Sequence, residues 1–134
     1  MRDALNLFTY GTLMLPAVMQ AVTGRSFADR PAILPDHARY RLKRRVYPGI
    51  IASPGDYVAG LLYSDIDKDS LRRLDAFESV LYARREVRVR LTDGRLDDAW
   101  AYLVAPEHAH LLTDQPWDLV DFQQRHLAAY LANI

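Results

Sequence analysis

The stretch DKDSLRRLDAFESVLYARREVRVRLTDGRLDDAWAYLV (residues 67–104) decides the fold class, because its apolar period changes partway along. From Lys68 the apolar residues Leu71, Leu74 and Leu81 recur at helical spacing, and Asp67 stands where an N-cap belongs, so a helix is expected through about Glu78. From Tyr82 to Leu91 the period becomes two: Val87, Val89 and Leu91 alternate with Glu86, Arg88 and Arg90. Thr92-Asp93-Gly94-Arg95 supplies a turn with the favoured Asp-Gly pair, and Ala99 to Val104 returns as the partner strand. A helix followed by a hairpin excludes an all-helical chain.

Outward from that segment the pattern continues. Leu5 to Tyr10 reads as a strand broken by Gly11, and Leu15 to Val22 as a short helix with Pro16 in its first turn, where a missing N–H costs nothing. His37 to Lys43 alternates Tyr40 and Leu42 with Arg39, Arg41 and Lys43, as a half-buried strand does. Tyr57 to Ile66 is rich in strand formers. Leu119 to Leu131 has helical apolar spacing through Phe122, Leu127 and Tyr130. Tyr47 to Asp56 and Ala105 to Pro116 read as loops. The fold class is α+β, with mainly antiparallel strands in a mixed sheet or barrel and a helix before and after.

The chain has 134 residues, a usual size for one domain of roughly 100–150 residues, so one domain over 1–134 is expected. Seventeen basic residues balance seventeen acidic ones, which gives no general field for nucleic acid or an anionic membrane. Cysteine is absent, so a disulfide framework, a thiolate nucleophile and a Cys-based zinc site are excluded, and a cytoplasmic setting fits. Met1-Arg2-Asp3 opens no apolar leader, and no run reaches the roughly 18–20 apolar residues of a membrane helix. The basic residues from Arg39 to Arg45 fit a solvated strand face better than a nucleic-acid surface. Glu107, His108 and His110 match no metal-ligand spacing. The expected partner is a small molecule, with no metal and no organic cofactor, and with the protein a monomer or homodimer.

Three features carry chemistry. Glu78 falls on the apolar stripe of its helix, four residues after Leu74 and three before Leu81, near the negative end of the helix dipole. Burial and dipole both raise a carboxyl pKa, as a general acid/base requires. The alternative is a helix that ends early, with Glu78 paired to Arg84 or Arg85. Tyr10-Gly11-Thr12-Leu13 joins a strand to a helix and suits a backbone nest for an anion. The plainer reading is a turn with Gly11 at positive φ. Tyr82 stands four residues beyond Glu78 and brings either a phenol to the same site or a core tyrosine with a satisfied hydroxyl. Tyr47-Pro48-Gly49-Ile50 is either a pocket wall or a turn.

Taken in order, these segments resemble the gamma-glutamylcyclotransferase-like (AIG2-like) family. Phe8-Thr9-Tyr10-Gly11-Thr12-Leu13 is similar to its Y-G-[ST]-[LN] loop, and Tyr47-Pro48-Gly49-Ile50 to its aromatic-proline segment. Val58-Ala59-Gly60-Leu61-Leu62-Tyr63 resembles its V-x-G-x-L/V-Y strand. Leu74-Asp75-Ala76-Phe77-Glu78 with Tyr82-Ala83-Arg84 resembles its L-D-x-x-E-x-x-x-Y-x-R signature. Trp117-Asp118, Phe122, His126-Leu127 and Tyr130-Leu131 resemble the ending of the AIG2-like branch. The resemblance implies a compact mixed β-barrel flanked by helices, with a pocket at the barrel mouth. It implies cyclisation of a γ-glutamyl amine or amino acid to 5-oxoproline with release of the amine. Glu78 is then the acid/base, Tyr10 to Leu13 bind the glutamyl carboxylate, and Tyr82 lines the pocket. A binding module that holds a small carboxylate or amine without reaction is the competing expectation.

Overall fold

The computed structural model describes residues 5–134, so the reading of Met1-Arg2-Asp3 lies outside the described residues. Five strands, β1 (Leu5–Thr9), β2 (Asp29–Arg41), β3 (Pro48–Ile66), β4 (Tyr82–Leu91) and β5 (Leu96–Val104), close into a barrel in the order β1-β3-β2-β4-β5. Every pairing is antiparallel except the closure of β1 on β5, which is parallel at Leu7 and Trp100. The helices are α1 (Pro16–Thr23), α2 (Lys68–Glu78), α3 (Leu119–Arg125) and α4 (Leu127–Ala132). None is long and apolar enough to cross a membrane, among the described residues.

The period-two pattern sorts side chains to two cores. Phe8, Leu34, Ile50, Leu62, Val89 and Ala101, drawn from all five strands, pack together as the barrel interior. Leu7, Tyr63 and Tyr102, on alternate strand positions, pack instead with Val18 and Met19 of α1, Leu71 and Leu74 of α2 and Phe122 of α3. The helices thus cover one outer side of the barrel.

The helix expected from Asp67 begins there, with Asp67 accepting hydrogen bonds from the Ser70 N–H at 3.1 Å and the Ser70 hydroxyl at 2.7 Å. The strand expected over Tyr82 to Leu91 has those bounds, and its turn places Gly94 at φ 88°. Other expectations are corrected. Tyr47 to Asp56 is not a loop, because β3 starts at Pro48 and β2 extends from Asp29 rather than His37. Pro48 sits at the first strand position, and Pro54 and Gly55 lie in a wide bulge where the register jumps from Pro35 opposite Tyr57 to His37 opposite Ala52. These are the sites where strands admit proline and glycine. Asp36 at φ 61° and Gly55 at φ 87° turn the two strands together, and the Gly55 N–H donates to Asp36 Oδ1 at 3.0 Å.

Ala105 to Pro116 holds a 3₁₀ segment, Pro106–Leu111, followed by a bridge from Leu112 to Leu42. The single helix expected over Leu119 to Leu131 is two short ones, broken at His126 with φ −124° and ψ −20°. The helical spacing is therefore met piecewise. Phe122 stays in the core while Tyr130 faces the barrel mouth.

Candidate functional site

A cavity of about 220 Å³ opens between the C-terminal end of β1, the start of β3, the C-terminal end of α2 and α4. It brings together all the residues singled out in the sequence: Tyr10, Gly11, Thr12, Leu13, Glu78 and Tyr82. Tyr47 and Pro48 also line it, so the aromatic-proline segment is a wall of the pocket.

Glu78 is the last residue of α2. Leu74, one turn earlier on α2, buries on the same stripe, which turns the carboxyl inward with it, while Leu81 buries beyond the helix end, in the 3₁₀ turn that follows. The residue is half-buried, and its carboxyl is enclosed enough that burial raises its pKa from 4.5 to about 8. No hydrogen bond or ion pair reaches it among the described residues. The alternative pairing with Arg84 or Arg85 is not formed. Arg84 instead grips Asp75, Nε to Oδ1 at 2.8 Å and Nη2 to Oδ2 at 3.2 Å, and lies over the Trp100 ring at 4.6 Å. The Tyr102 hydroxyl donates to the same Asp75 Oδ1 at 2.7 Å. Asp75, one turn before Glu78, thereby ties the end of α2 to β4 and β5.

Immediately after Glu78 the chain reverses through Ser79 at φ 60° and ψ −159°. That region is almost reserved for glycine and costs a residue with a side chain about 1–3 kcal/mol. The strain lies at the residue that lets α2 stop and β4 begin within three further positions, Ser79 to Leu81.

The Tyr10–Leu13 loop is fixed by its carbonyls. The Arg39 Nη1 donates to Tyr10 O at 2.8 Å and the Tyr63 hydroxyl to Leu13 O at 2.8 Å. Met14 and Leu15 N–H groups donate to Gly11 O at 3.0 Å and Thr12 O at 3.1 Å. All four carbonyls are occupied, while the N–H groups of Thr12 and Leu13, at the start of a 3₁₀ turn, have no partner within it. The hydrogen-bonding capacity left on this loop is therefore of the donor kind, as an anion requires. Gly11 is not at positive φ: it has φ −129° and ψ −135°. Contact favours glycine there, since a Cβ would lie 3.0 Å from the Pro48 ring, closer than nearly all such contacts.

Tyr82 fulfils both readings offered for it. It lines the cavity, and its hydroxyl is satisfied, donating to Pro48 O at 2.6 Å. Burial first, then the neighbouring tyrosines and Glu78, hold its pKa far above the usual phenol value. Tyr10 donates to Tyr102 O and is raised likewise, by burial first and Glu78 second.

Four residues escaped the sequence reading. Arg39, taken for a solvated strand residue, is half-buried against the loop and over the Trp117 ring at 5.5 Å. Tyr102 carried no local motif, and Phe77 stood only at an unspecified position of the Leu74–Glu78 segment. Tyr130 was legible as one apolar position of the last helix and as part of the Tyr130-Leu131 ending, without a role in the site. A count of tyrosines on apolar strand positions would have flagged Tyr102, since a buried phenol needs a partner. His108 and His110 sit apart from this site in the 3₁₀ segment, and no metal-like group of three His, Cys, Asp or Glu forms among the described residues.

A family model described as gamma-glutamyl cyclotransferase, AIG2-like, matches residues 7–119. AIG2-like protein D of Arabidopsis thaliana is 34% identical over 131 residues, covering 94% of this chain and 84% of that protein. A solution structure of an Arabidopsis thaliana protein aligns with TM-score 0.75 at 26% identity, over 98% of this chain and 88% of that one. A gamma-glutamyl cyclotransferase structure aligns with TM-score 0.71 over 98% of this chain and 86% of that one; at 20% identity this is a likeness of fold.

Proposed function

This chain belongs to the gamma-glutamyl cyclotransferase, AIG2-like family, and we propose that it cyclises a γ-glutamyl amine or γ-glutamyl amino acid to 5-oxoproline, releasing the amine, with Glu78 as general acid/base. The observation that carries the reading is the Glu78 carboxyl: unpaired, raised to about 8, and in the same cavity as the donor-rich Tyr10–Leu13 loop. A carboxyl with a pKa near neutrality can accept a proton and return it within one turnover.

The substrate's α-carboxylate sits on the N–H groups of the loop, and its γ-carbonyl lies toward Glu78. Glu78 takes a proton from the α-nitrogen. That proton leaves the neutral α-amine as its lone pair attacks the γ-carbonyl carbon and closes the five-membered ring, so the ring nitrogen keeps one hydrogen. As the original amide C–N bond breaks, Glu78 returns the proton to the departing nitrogen. Nucleophile and electrophile belong to one molecule, so the pocket's main task is to hold the folded conformer, worth up to about 7–11 kcal/mol in the best intramolecular reactions. Tyr82 holds the wall through Pro48 and lines the site without donating to substrate. The cysteine-free chain suits a cytoplasmic setting.

The test is 5-oxoproline release from a panel of γ-glutamyl amines and amino acids, comparing native protein with Glu78→Gln. Release by the native protein, reduced by roughly 10²-fold or more in the variant, supports the assignment. Equal release from both refutes Glu78 as the proton carrier. No release from any member of the panel favours a binding module on the same fold.

A further inference from the structure

The pocket wall is not complete within residues 7–119, the segment the family model matches. Its remaining side comes from α4, through Tyr130. This helix has no fully buried residue, and Tyr130 is where it meets the site. The ring stands edge-on to Phe77, with centroids 6.3 Å apart and planes at 89°, and to Tyr47 at 6.3 Å and 62°. Its hydroxyl lies 3.3 Å from Thr12 Oγ1. The break at His126 aims it there, and the Tyr130 N–H donates to His126 O at 2.9 Å to start the new direction.

Among the described residues, Glu78 is the only charged side chain lining the cavity. An anionic group entering it must therefore be met by N–H and O–H donors rather than by a cation. Three of the lining phenols are already spent: Tyr10 on Tyr102 O, Tyr82 on Pro48 O and Tyr102 on Asp75. The Thr12 and Tyr130 hydroxyls differ. Each has only the other as partner among the described residues, and either can be the donor. The pair thus carries two protons for one contact, and one is left over. Burial, with a smaller push from Glu78 against the Thr12 contact, raises the Tyr130 phenol to about 12, so it is a protonated donor at neutral pH.

We propose that Tyr130 is a substrate-binding residue of this site, its hydroxyl joining that of Thr12 to hold the α-carboxylate of the γ-glutamyl group. The inference rests on the reading of the cavity as a γ-glutamyl site, and it adds a residue from outside the family-matched segment.

The experiment is titration calorimetry of native protein and Tyr130→Phe with 5-oxoproline and with 2-pyrrolidinone, the same ring without the carboxylate. Phenylalanine keeps the edge-on packing against Phe77 and Tyr47 and removes only the hydroxyl. The native protein is expected to prefer 5-oxoproline. Tyr130→Phe is expected to weaken 5-oxoproline by roughly 10- to 100-fold and 2-pyrrolidinone by less than about 3-fold. Equal loss for both ligands, no loss for either, or no 5-oxoproline binding by native protein overturns the proposal. Turnover separates it from the reading it rests on. Hydroxyl-dependent binding of 5-oxoproline without release from any γ-glutamyl amide sinks the reaction and keeps Tyr130 as a carboxylate ligand. Release with an unchanged KM in Tyr130→Phe sinks the role of Tyr130 and keeps the reaction.

Discussion

Replacing Glu78 by glutamine is expected to change how stability depends on pH. In the folded protein burial lifts this carboxyl from 4.5 to about 8. The folded state therefore binds its proton more tightly than the unfolded state does. Stability from this group is fully present below about pH 4.5 and is lost as pH rises through about 8, because the folded chain must then either ionise a buried carboxyl or hold a proton the solvent would take. At 1.36 kcal/mol per pH unit the full window corresponds to a ceiling of about 5 kcal/mol. Glu78 keeps some access to water through the cavity, so about 2–4 kcal/mol is the working figure. That is a large share of the roughly 5–15 kcal/mol that holds a domain of this kind together. Glutamine has nearly the same shape and does not titrate.

The assay is urea denaturation of native protein and Glu78→Gln between pH 4 and pH 10, followed by tryptophan fluorescence. The quantity to plot is the difference in unfolding free energy, variant minus native, since the other titrating groups cancel in it. The difference should be flat near pH 4, climb in favour of the variant between about pH 5 and pH 8, and level above about pH 9. A flat difference across the range refutes burial as the cause of the raised pKa. A difference that climbs in favour of the native protein refutes the unpaired geometry itself, because only a carboxylate held by a cation or by hydrogen-bond donors behaves that way.

Three further outcomes are expected. If Glu78 must start as carboxylate in the proposed reaction, kcat/KM of the native protein should rise with pH to an inflection near 8, and Glu78→Asp should move that inflection while Glu78→Gln abolishes it. Ser79→Gly should stabilise the protein by about 1 kcal/mol in urea denaturation, since it relieves a backbone at φ 60° and ψ −159°; a loss of stability would show that the backbone there is not strained. Gly60→Ala should cost about 3 kcal/mol or more in the same assay, because the new Cβ would fall 2.1 Å from the Thr9 carbonyl, whose position is fixed by the pairing of β1 with β3.

What the sequence made legible follows physical range. Residues 67–104 were readable because cap, helical period, alternation and Asp-Gly turn are local signals that all agree, and the barrel keeps them. Glu78 was readable because an acid on an apolar stripe is a local contradiction. Tyr47 to Asp56 was misread because proline and glycine mark turns and also mark strand starts and bulges, and only the partner strand β2 decides between them. Arg39 was misread for the same kind of reason. Its alternation placed it on a strand, but its partners, Tyr10 O and the Trp117 ring, lie 29 and 78 positions away in the chain. The break at His126 leaves the helical spacing intact on both sides, so nothing in the period announces it.

The arrangement around Glu78 makes physical sense as subtraction. A carboxyl this close to so many donors would ordinarily find one, and its pKa would return toward 4.5. Here the two nearby guanidinium groups and three of the pocket phenols are claimed first. Arg84 and the Tyr102 hydroxyl go to Asp75, the Tyr82 hydroxyl to Pro48 O, the Tyr10 hydroxyl to Tyr102 O, and Arg39 to Tyr10 O. Asp75 and Glu78 are one turn apart on α2, with the same chemistry and opposite surroundings: one accepts from three donor atoms, the other from none among the described residues. On the proposed mechanism this division is required. A carboxylate fixed by a guanidinium cannot hand a proton to a departing amine, and one left free in water would hold that proton too weakly at neutral pH. The ion pair on Asp75 therefore serves the reaction by keeping Arg84 away from Glu78, as well as by fixing the end of the helix that carries it.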